Sequence, residues 1–523
     1  LKVSAKNAPG FCRFATGSCY IDAAEASNRQ PFTYPHMFPL VYEINTRVWL
    51  KNLTKKYGTE VTLGFVPDEE FLFFTECGFD YVWLMGVWQP SRYSKAIATA
   101  HPCLRTTFLQ HLGSVDPDDI VSSPYSIPSY TVNRDLGGED ELRMFRERLK
   151  QAGIKLMLDF VPNHLALDNE WLPGHPEYFI PVSCDEQCHD PESCFEYAEG
   201  KYLAYGKDPY FPAWTDTLQL NYANPGTHEM MIDNLLTISS QCDAVRCDVA
   251  MLVLKSVFNT TWSNLSGPMH DEFWTKAIRV VKECHPGFLF IAESYWNKEW
   301  ELQQLGFDFT YDKPFYDYIT HVPANIEKLM GHMQAQWHYQ KHLCRFLENH
   351  DEPRAAAKTG LNNSAAALVL MTSPGMHLIH QDQMDGYKKK IPVQLIRQAE
   401  ETDHPELAGL YRSLFMLQKQ RVFQEGHIEW LHLNAPSSSH CFGYHRFTEK
   451  EHAFVIANFS VTGIEIAFSH PALLLLSHED IDMLSTMERD KTSIHMAGET
   501  MQVRLAPHEG IVITCRTEST HQS

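Results

Sequence analysis

The chain has 523 residues, 44% hydrophobic and 12% aromatic, enough to bury one large core and a smaller one. Its 44 basic and 65 acidic residues give a formal charge of −21, a field that repels phosphate backbones and anionic lipid, so nucleic acid is not an expected partner. Apolar runs such as Ala365 to Met371 stop well short of the roughly 20 residues that span a bilayer, and no membrane span is expected.

Residues 1–38 carry Gly, Ser, Asn and Pro without periodicity and read as an N-terminal extension. Residues 39–425 then alternate short apolar runs with helical patterns. The runs are "LVYEI" (40–44), "YVWLMGV" (81–87), "IKLMLDF" (154–160), "CDAVRCDVA" (242–250), "FLFIAES" (288–294), "FDFTY" (307–311), "HLCRFLE" (342–348) and "MHLIH" (376–380). Strands buried on both faces and separated by helices pair in parallel, because parallel strands need crossover connections. Eight of them suggest a barrel, with a doubly wound open sheet as the alternative that periodicity cannot exclude. The stretch of about 165–225 breaks the rhythm with Pro, Cys, Tyr and Trp and reads as an insert after the third strand. From 426 to 515, alternating segments such as "CFGYHRF", "HAFVIANFS" and "GIVITC" predict antiparallel β, with a polar tail at 516–523.

Thirteen cysteines and N-x-S/T sequons at Asn52, Asn259, Asn264, Asn362 and Asn458 lean toward an oxidising, secretory compartment, the cytoplasm being the alternative. The first residue is Leu1, which leaves room for a processed N-terminus. Cys12 and Cys19 lie close in sequence, as do Cys184, Cys188 and Cys194. The latter spacing matches no common closed zinc pattern, so a local disulfide or plain thiols is the expectation. Cys247 and Cys344 fall in apolar runs that suit buried thiols.

In a parallel barrel the reactive groups sit at the carboxyl ends of the strands. Read that way, the third strand ends in Asp159 followed by Asn163 and His164, the fourth carries Arg246 and Asp248, the fifth ends in Glu293, and the seventh leads into Asn349, His350 and Asp351. Any one of these could be a helix cap. Several carboxylates closing neighbouring buried strands beside an Arg and two His point instead to catalysis.

The motifs "DFVPNH" (159–164), "AVRCD" (244–248), "IAES" (291–294) and "ENHD" (348–351) resemble, in this order, those of the α-amylase family of glycoside hydrolases. The resemblance covers residues 40–515. It implies an α/β fold, a (β/α)8 TIM barrel with an insert after strand 3 and a C-terminal antiparallel β-sandwich domain. It also implies a retaining hydrolase for α-glucosidic bonds of oligo- or polysaccharides, with Asp248 as nucleophile and Glu293 as general acid and base. Asp351 becomes the third carboxylate, and Arg246, His164 and His350 become substrate-binding or orienting groups. A retaining pair stands roughly 5 to 5.5 Å apart, and Glu293 has to begin protonated. Asp159 would anchor Arg246, and Tyr130 would be the aromatic platform under the sugar or a core residue.

No cofactor is required for this chemistry. Asn163 matches a position that binds calcium in many family members, so a structural calcium, completed by Asp168 or by the insert, is one expectation and a bracing amide the other. The chain departs from the family at Met251 and Leu252, where many members carry a Lys-His pair. Tyr210 and Trp214 in the insert are further stacking candidates. A transglycosylase would use the same residues, and a silent scaffold would be expected to lose one of the three carboxylates. In "FLENHDEPR" (346–354), Phe346 and Leu347 read as barrel filling, Asn349 as a loop brace, and Glu352 and Arg354 as surface charges.

Overall fold

The structure, a computed structural model, describes residues 37–183, 191–435, 440–475, 481–487 and 493–516. Nearly all of the N-terminal extension, with Cys12 and Cys19, lies outside the described residues, as do Cys184, Cys188 and residues 517–523.

Each of the eight apolar runs forms a strand: β1 (Leu40–Asn45), β2 (Tyr81–Met85), β3 (Lys155–Phe160), β4 (Ala244–Cys247), β5 (Leu289–Ala292), β6 (Phe309–Tyr311), β7 (Leu343–Arg345) and β8 (Met376–His380). Neighbours in sequence are neighbours in the sheet, and β8 pairs back onto β1 with Leu40 beside His377. That last pairing makes the sheet a closed barrel and removes the open-sheet alternative. Barrel and helices bury both strand faces, which is why the runs are continuously apolar rather than alternating.

The helices between them follow ordinary start and stop chemistry. The helix α1 (Thr46–Tyr57) begins at Asn45, whose side chain accepts from the Val48 N–H, and ends at Gly58 with φ 69°. The helix α2 (Gly138–Gln151) buries Leu142, Phe145 and Leu149 and carries Glu139, Asp140 and Glu141 in its first turn, where the helix dipole favours them. After β3 the insert forms a small antiparallel sheet from His164–Ala166, Pro181–Val182, Cys194–Ala198, Lys201–Gly206 and Trp214–Gln219.

The C-terminal domain has a five-stranded sheet containing β9 (His427–Trp430), β10 (Cys441–Phe447) and β11 (Glu451–Asn458), and a three-stranded sheet containing β12 (Ile464–Ser469). Inward residues Leu431, Phe454, Ile456, Ile466 and Phe468 share one core. Buried Arg446 ties this domain to the barrel side, donating to the carbonyls of Thr372 (2.7 Å), Phe423 (2.9 Å) and Gly426 (2.8 Å). Gly426 is required there, since a Cβ would stand 2.1 Å from the Val422 carbonyl oxygen.

Two sequons are masked by packing. Asn458 is buried and donates to Thr462 O (2.9 Å) and Ala506 O (2.8 Å), and buried Asn362 meets His508 Nδ1 at 2.6 Å. Cys77, Cys242, Cys247 and Cys344 are buried free thiols. Among the described residues no helix is long and apolar enough to cross a membrane.

Candidate active site

Four strand tips converge on one guanidinium. Arg246 on β4 lies beside Asp159 of β3 and Ile291 of β5 in the ladder, so its side chain rises between two strands whose ends carry acids. It is fully buried, with Nη1 2.6 Å from Asp248 Oδ1 and Nη2 2.8 Å from Glu293 Oε2. Asp159 and Asp351 stand further off, at 3.8 and 3.9 Å. The rings of Trp83, Tyr125 and Tyr311 pack around the guanidinium carbon at 5.5, 5.2 and 5.6 Å, adding cation–π attraction to the ion pairs.

The backbone carries the acids past the strand ends. Asp248 N–H donates to Phe160 O at 2.8 Å and Glu293 N–H to Cys247 O at 3.0 Å, extending the barrel ladder at the site. Val249 follows in the left-handed region at φ 36°, a costly conformation for a β-branched residue, and this aims its N–H at Glu293 Oε2, 2.5 Å away. Glu293 Oε1 accepts from the Tyr295 hydroxyl at 2.8 Å. Sequence reading passed over Tyr295, although its place two residues after Glu293 was the available signal. Burial raises the Asp248 carboxyl well above the usual range, opposed by Arg246 and reinforced by Glu293.

His350 lies between two carboxylates. Its Nε2 is 2.9 Å from Asp351 Oδ2, and its Nδ1 bonds to Glu43 Oε1 on β1. Burial opposes charging of the ring, yet Asp351 and Glu43 together raise it to about 10. In return, His350 holds Asp351 well below its ordinary value despite the opposing desolvation. Glu43 was missed because it reads as one polar letter inside an apolar strand, and a fully buried acid was the clue.

The platform tyrosine needs correction. Tyr130 is buried in the core with its ring against Trp88 and Phe160, and its hydroxyl both accepts from Val161 N–H and donates to Val161 O, each at 3.0 Å. Tyr125, five residues earlier in the same loop, is the ring beside the acids. It stacks on His350 at 5.2 Å with its hydroxyl 2.7 Å from Nε2. His164 lies behind that loop, hydrogen-bonded to the Tyr125 backbone and 5.0 Å from the Trp214 ring, and burial lowers it to about 4.

Asn163 does not fit calcium. Its Oδ1 accepts from Gln219 Nε2 at 3.0 Å and its backbone oxygen from Gln219 Nε2 and Leu220 N–H, while Nδ2 donates to Gln219 Oε1 at 3.2 Å. A calcium ion takes six to eight oxygens, and here both oxygens of Asn163 already face donors. Asp168 is engaged with the Ser91 hydroxyl (2.6 Å) and Arg92 N–H (3.0 Å). The amide braces the insert against β3, the other of the two expectations.

In the 346–354 segment, Phe346 and Leu347 are buried, and Asn349 Oδ1 accepts from Asp351 N–H and Glu352 N–H, each at 2.9 Å. Arg354 is not a surface charge. It is buried and pairs with Glu348 at 2.6 Å while donating to Gln381 O. Met251 and Leu252 are buried in the turn after Asp248, and exposed Tyr210 meets Trp296 ring to ring at 4.9 Å.

The family description "Alpha amylase, catalytic domain" matches residues 78–413. The chain belongs to the α-amylase family. Among α-amylase relatives, it is 21% identical to Maltase 1 of Drosophila virilis over 51% of this chain and 50% of that one. It is 25% identical to α-amylase MalA of Haloarcula japonica over 54% of this chain and 41% of that one. The chain thus spans about half the length of the curated relatives it matches. In fold it is similar to the noncanonic maltogenic α-amylase AmyB of Thermotoga neapolitana, with a TM-score of 0.67 at 18% identity over 92% of this chain and 99% of that one. The α-amylase of Geobacillus thermoleovorans, solved with acarbose, gives 0.65 at 16% identity, covering 92% and 99%.

Proposed function

We propose that this α-amylase family chain is a retaining glycoside hydrolase that cleaves α-glucosidic bonds of an α-linked oligosaccharide or glucan. The observation that carries the reading is the single buried guanidinium held at 2.6 Å by Asp248 and at 2.8 Å by Glu293, with Asp351 on the rim. Asp248 attacks the anomeric carbon while the bond to the leaving oxygen breaks and that oxygen takes the proton of Glu293. Glu293, now a carboxylate, removes a proton from water, whose oxygen displaces Asp248 and frees the sugar with its configuration retained. Arg246 orients the nucleophile, and its charge opposes the rise that burial imposes on the Asp248 carboxyl, favouring the anion that attacks. Asp351, His350 and Tyr125 line one side, where their acceptors, donors and ring face suit sugar hydroxyls and a ring gaining positive charge.

Met251 and Leu252 stand where many family members carry a Lys-His pair toward the leaving group, which supports short α-glucosides over long starch chains as substrates.

The test is anomer-resolved NMR of the first product from maltooligosaccharides, α-1,6 glucans, trehalose and sucrose, with Asp248→Asn and Glu293→Gln as controls. An α-anomer formed first, and a loss of at least about 100-fold in each variant, is the expected result. A β-anomer, or full activity in either variant, overturns the reading. Products lengthened by an added acceptor would move the assignment to transglycosylation.

A further inference from the structure

Away from the cleft, one group of metal-competent side chains stands at the junction of the two C-terminal sheets. Glu429 on β9 lies directly opposite His445 on β10 in the antiparallel ladder. His470, the residue after β12, arrives from the other sheet. His445 Nδ1 and His470 Nε2 each lie 2.7 Å from the same oxygen, Glu429 Oε1, and all three ligand atoms fall within 4.8 Å of one another. Behind His445, its Nε2 lies 3.0 Å from His452 Nδ1, the two rings nearly parallel at 7°.

We propose that Glu429, His445 and His470 form a binding site for one divalent transition cation of zinc type, which staples the two C-terminal sheets together. Two imidazoles and a carboxylate are a borderline donor set that suits zinc(II) over the oxygen-seeking calcium and magnesium ions, with solvent in the fourth position. The three groups sit at three separate points of the chain, so an ion bound to all of them cross-links β9, β10 and the end of β12. His452 supplies the outer support that metal-bound imidazoles use, a fixed acceptor for the far N–H of His445. The carboxylate is 46% exposed and His470 18%, so an ion has a route in, while His445 at 2% anchors the inner face.

Binding needs no co-reactant, because the protons stay on the rings. The nitrogens that now donate to Glu429 give up those protons to their own far sides. His445 then donates from Nε2 to His452 Nδ1, whose proton moves to its own Nε2. His470 takes its proton on Nδ1 and releases the Ala472 N–H that contacts that atom at 3.1 Å. Three hydrogen bonds are lost, the two that His445 and His470 donate to Glu429 and the Ala472 contact, against three metal–ligand bonds gained.

The experiment strips the full chain with a chelator, dialyses it against a zinc buffer and counts bound zinc for wild type, Glu429→Gln and His470→Gln. Parallel cobalt(II) loading gives a visible spectrum, and thermal unfolding is followed with and without zinc. Expected are one more zinc equivalent in wild type than in either variant, the intense visible absorption of four-coordinate cobalt in wild type only, and a zinc-dependent rise in melting temperature that both variants lose. Glycosidase activity measured alongside reports that each variant is folded. Equal zinc content in wild type and the variants, or wild-type cobalt absorption that survives in both, overturns the proposal. Magnesium and calcium, tried at the same concentration, should leave the melting temperature unchanged.

Discussion

His350 donates its Nδ1 proton to Glu43, joining the tip that follows β7 to the middle of β1. With Asp351 on its other nitrogen, the ring is raised to about 10 against the opposing effect of burial. An unfolded histidine titrates near ~6.5, so the folded state binds the proton more tightly. The resulting stabilisation is full below about 6.5 and is lost as pH rises through about 10. Calorimetric melting temperatures should therefore fall more steeply between neutral and alkaline pH in wild type than in His350→Gln. Parallel curves for the two proteins would contradict this.

The two tyrosines of one loop should separate cleanly. Tyr130→Phe leaves the Val161 N–H without its acceptor in the core and should cost about 1–3 kcal/mol in denaturant unfolding while kcat and KM hold. Tyr125→Ala removes the ring stacked on His350 and should raise KM about tenfold, the equivalent of roughly 1.4 kcal/mol of stacking and hydrogen bonding. Reversed effects would return the platform role to Tyr130.

The Tyr295 hydroxyl donates to Glu293 Oε1 at 2.8 Å. It is a positioning residue in this scheme. Tyr295→Phe should lower kcat about 10-fold with KM nearly unchanged, as loss of one hydrogen bond to a charged group predicts. Aryl glucosides, whose leaving groups need little protonation, should be spared. An equal loss on both substrate types would mean that the hydroxyl serves the fold rather than the acid.

Because Gln219 occupies the amide of Asn163, removing calcium with EGTA should change neither activity nor melting temperature. Gln219→Ala should loosen the insert, lowering the melting temperature with or without added calcium. A melting temperature restored by calcium in either protein would show an ion site that the amide pair does not reveal.

The barrel was legible because a strand buried on both faces can hardly be anything but a continuous apolar run, and eight such runs interleaved with helices have few arrangements. The reacting acids were legible because a carboxylate at a strand tip stands out against apolar letters. What escaped depends on side-chain direction. "SPYSIPSY" offers Tyr125 and Tyr130 on an irregular loop with no period to say which ring faces the cleft. Arg354 looks like a surface charge until Glu348 and Gln381 are seen around it. The Asn163 amide is claimed by Gln219, a partner 56 residues away across the insert. Such pairings become visible only once the loops are placed.

The pairing of β8 with β1 has a kinetic side. The ends of the barrel ladder are more than three hundred residues apart, as are Glu43 and His350, separated by 307 positions. Contacts of such high sequence separation form late, after the entropy of a very long loop has been overcome. During synthesis, β1 must therefore wait, its hydrogen-bonding edge open, until residues 376–380 have been made. A nascent chain carrying Asp248 and Glu293 but not yet β8 would hold its chemistry in an unclosed sheet, the stage at which chaperone protection matters most.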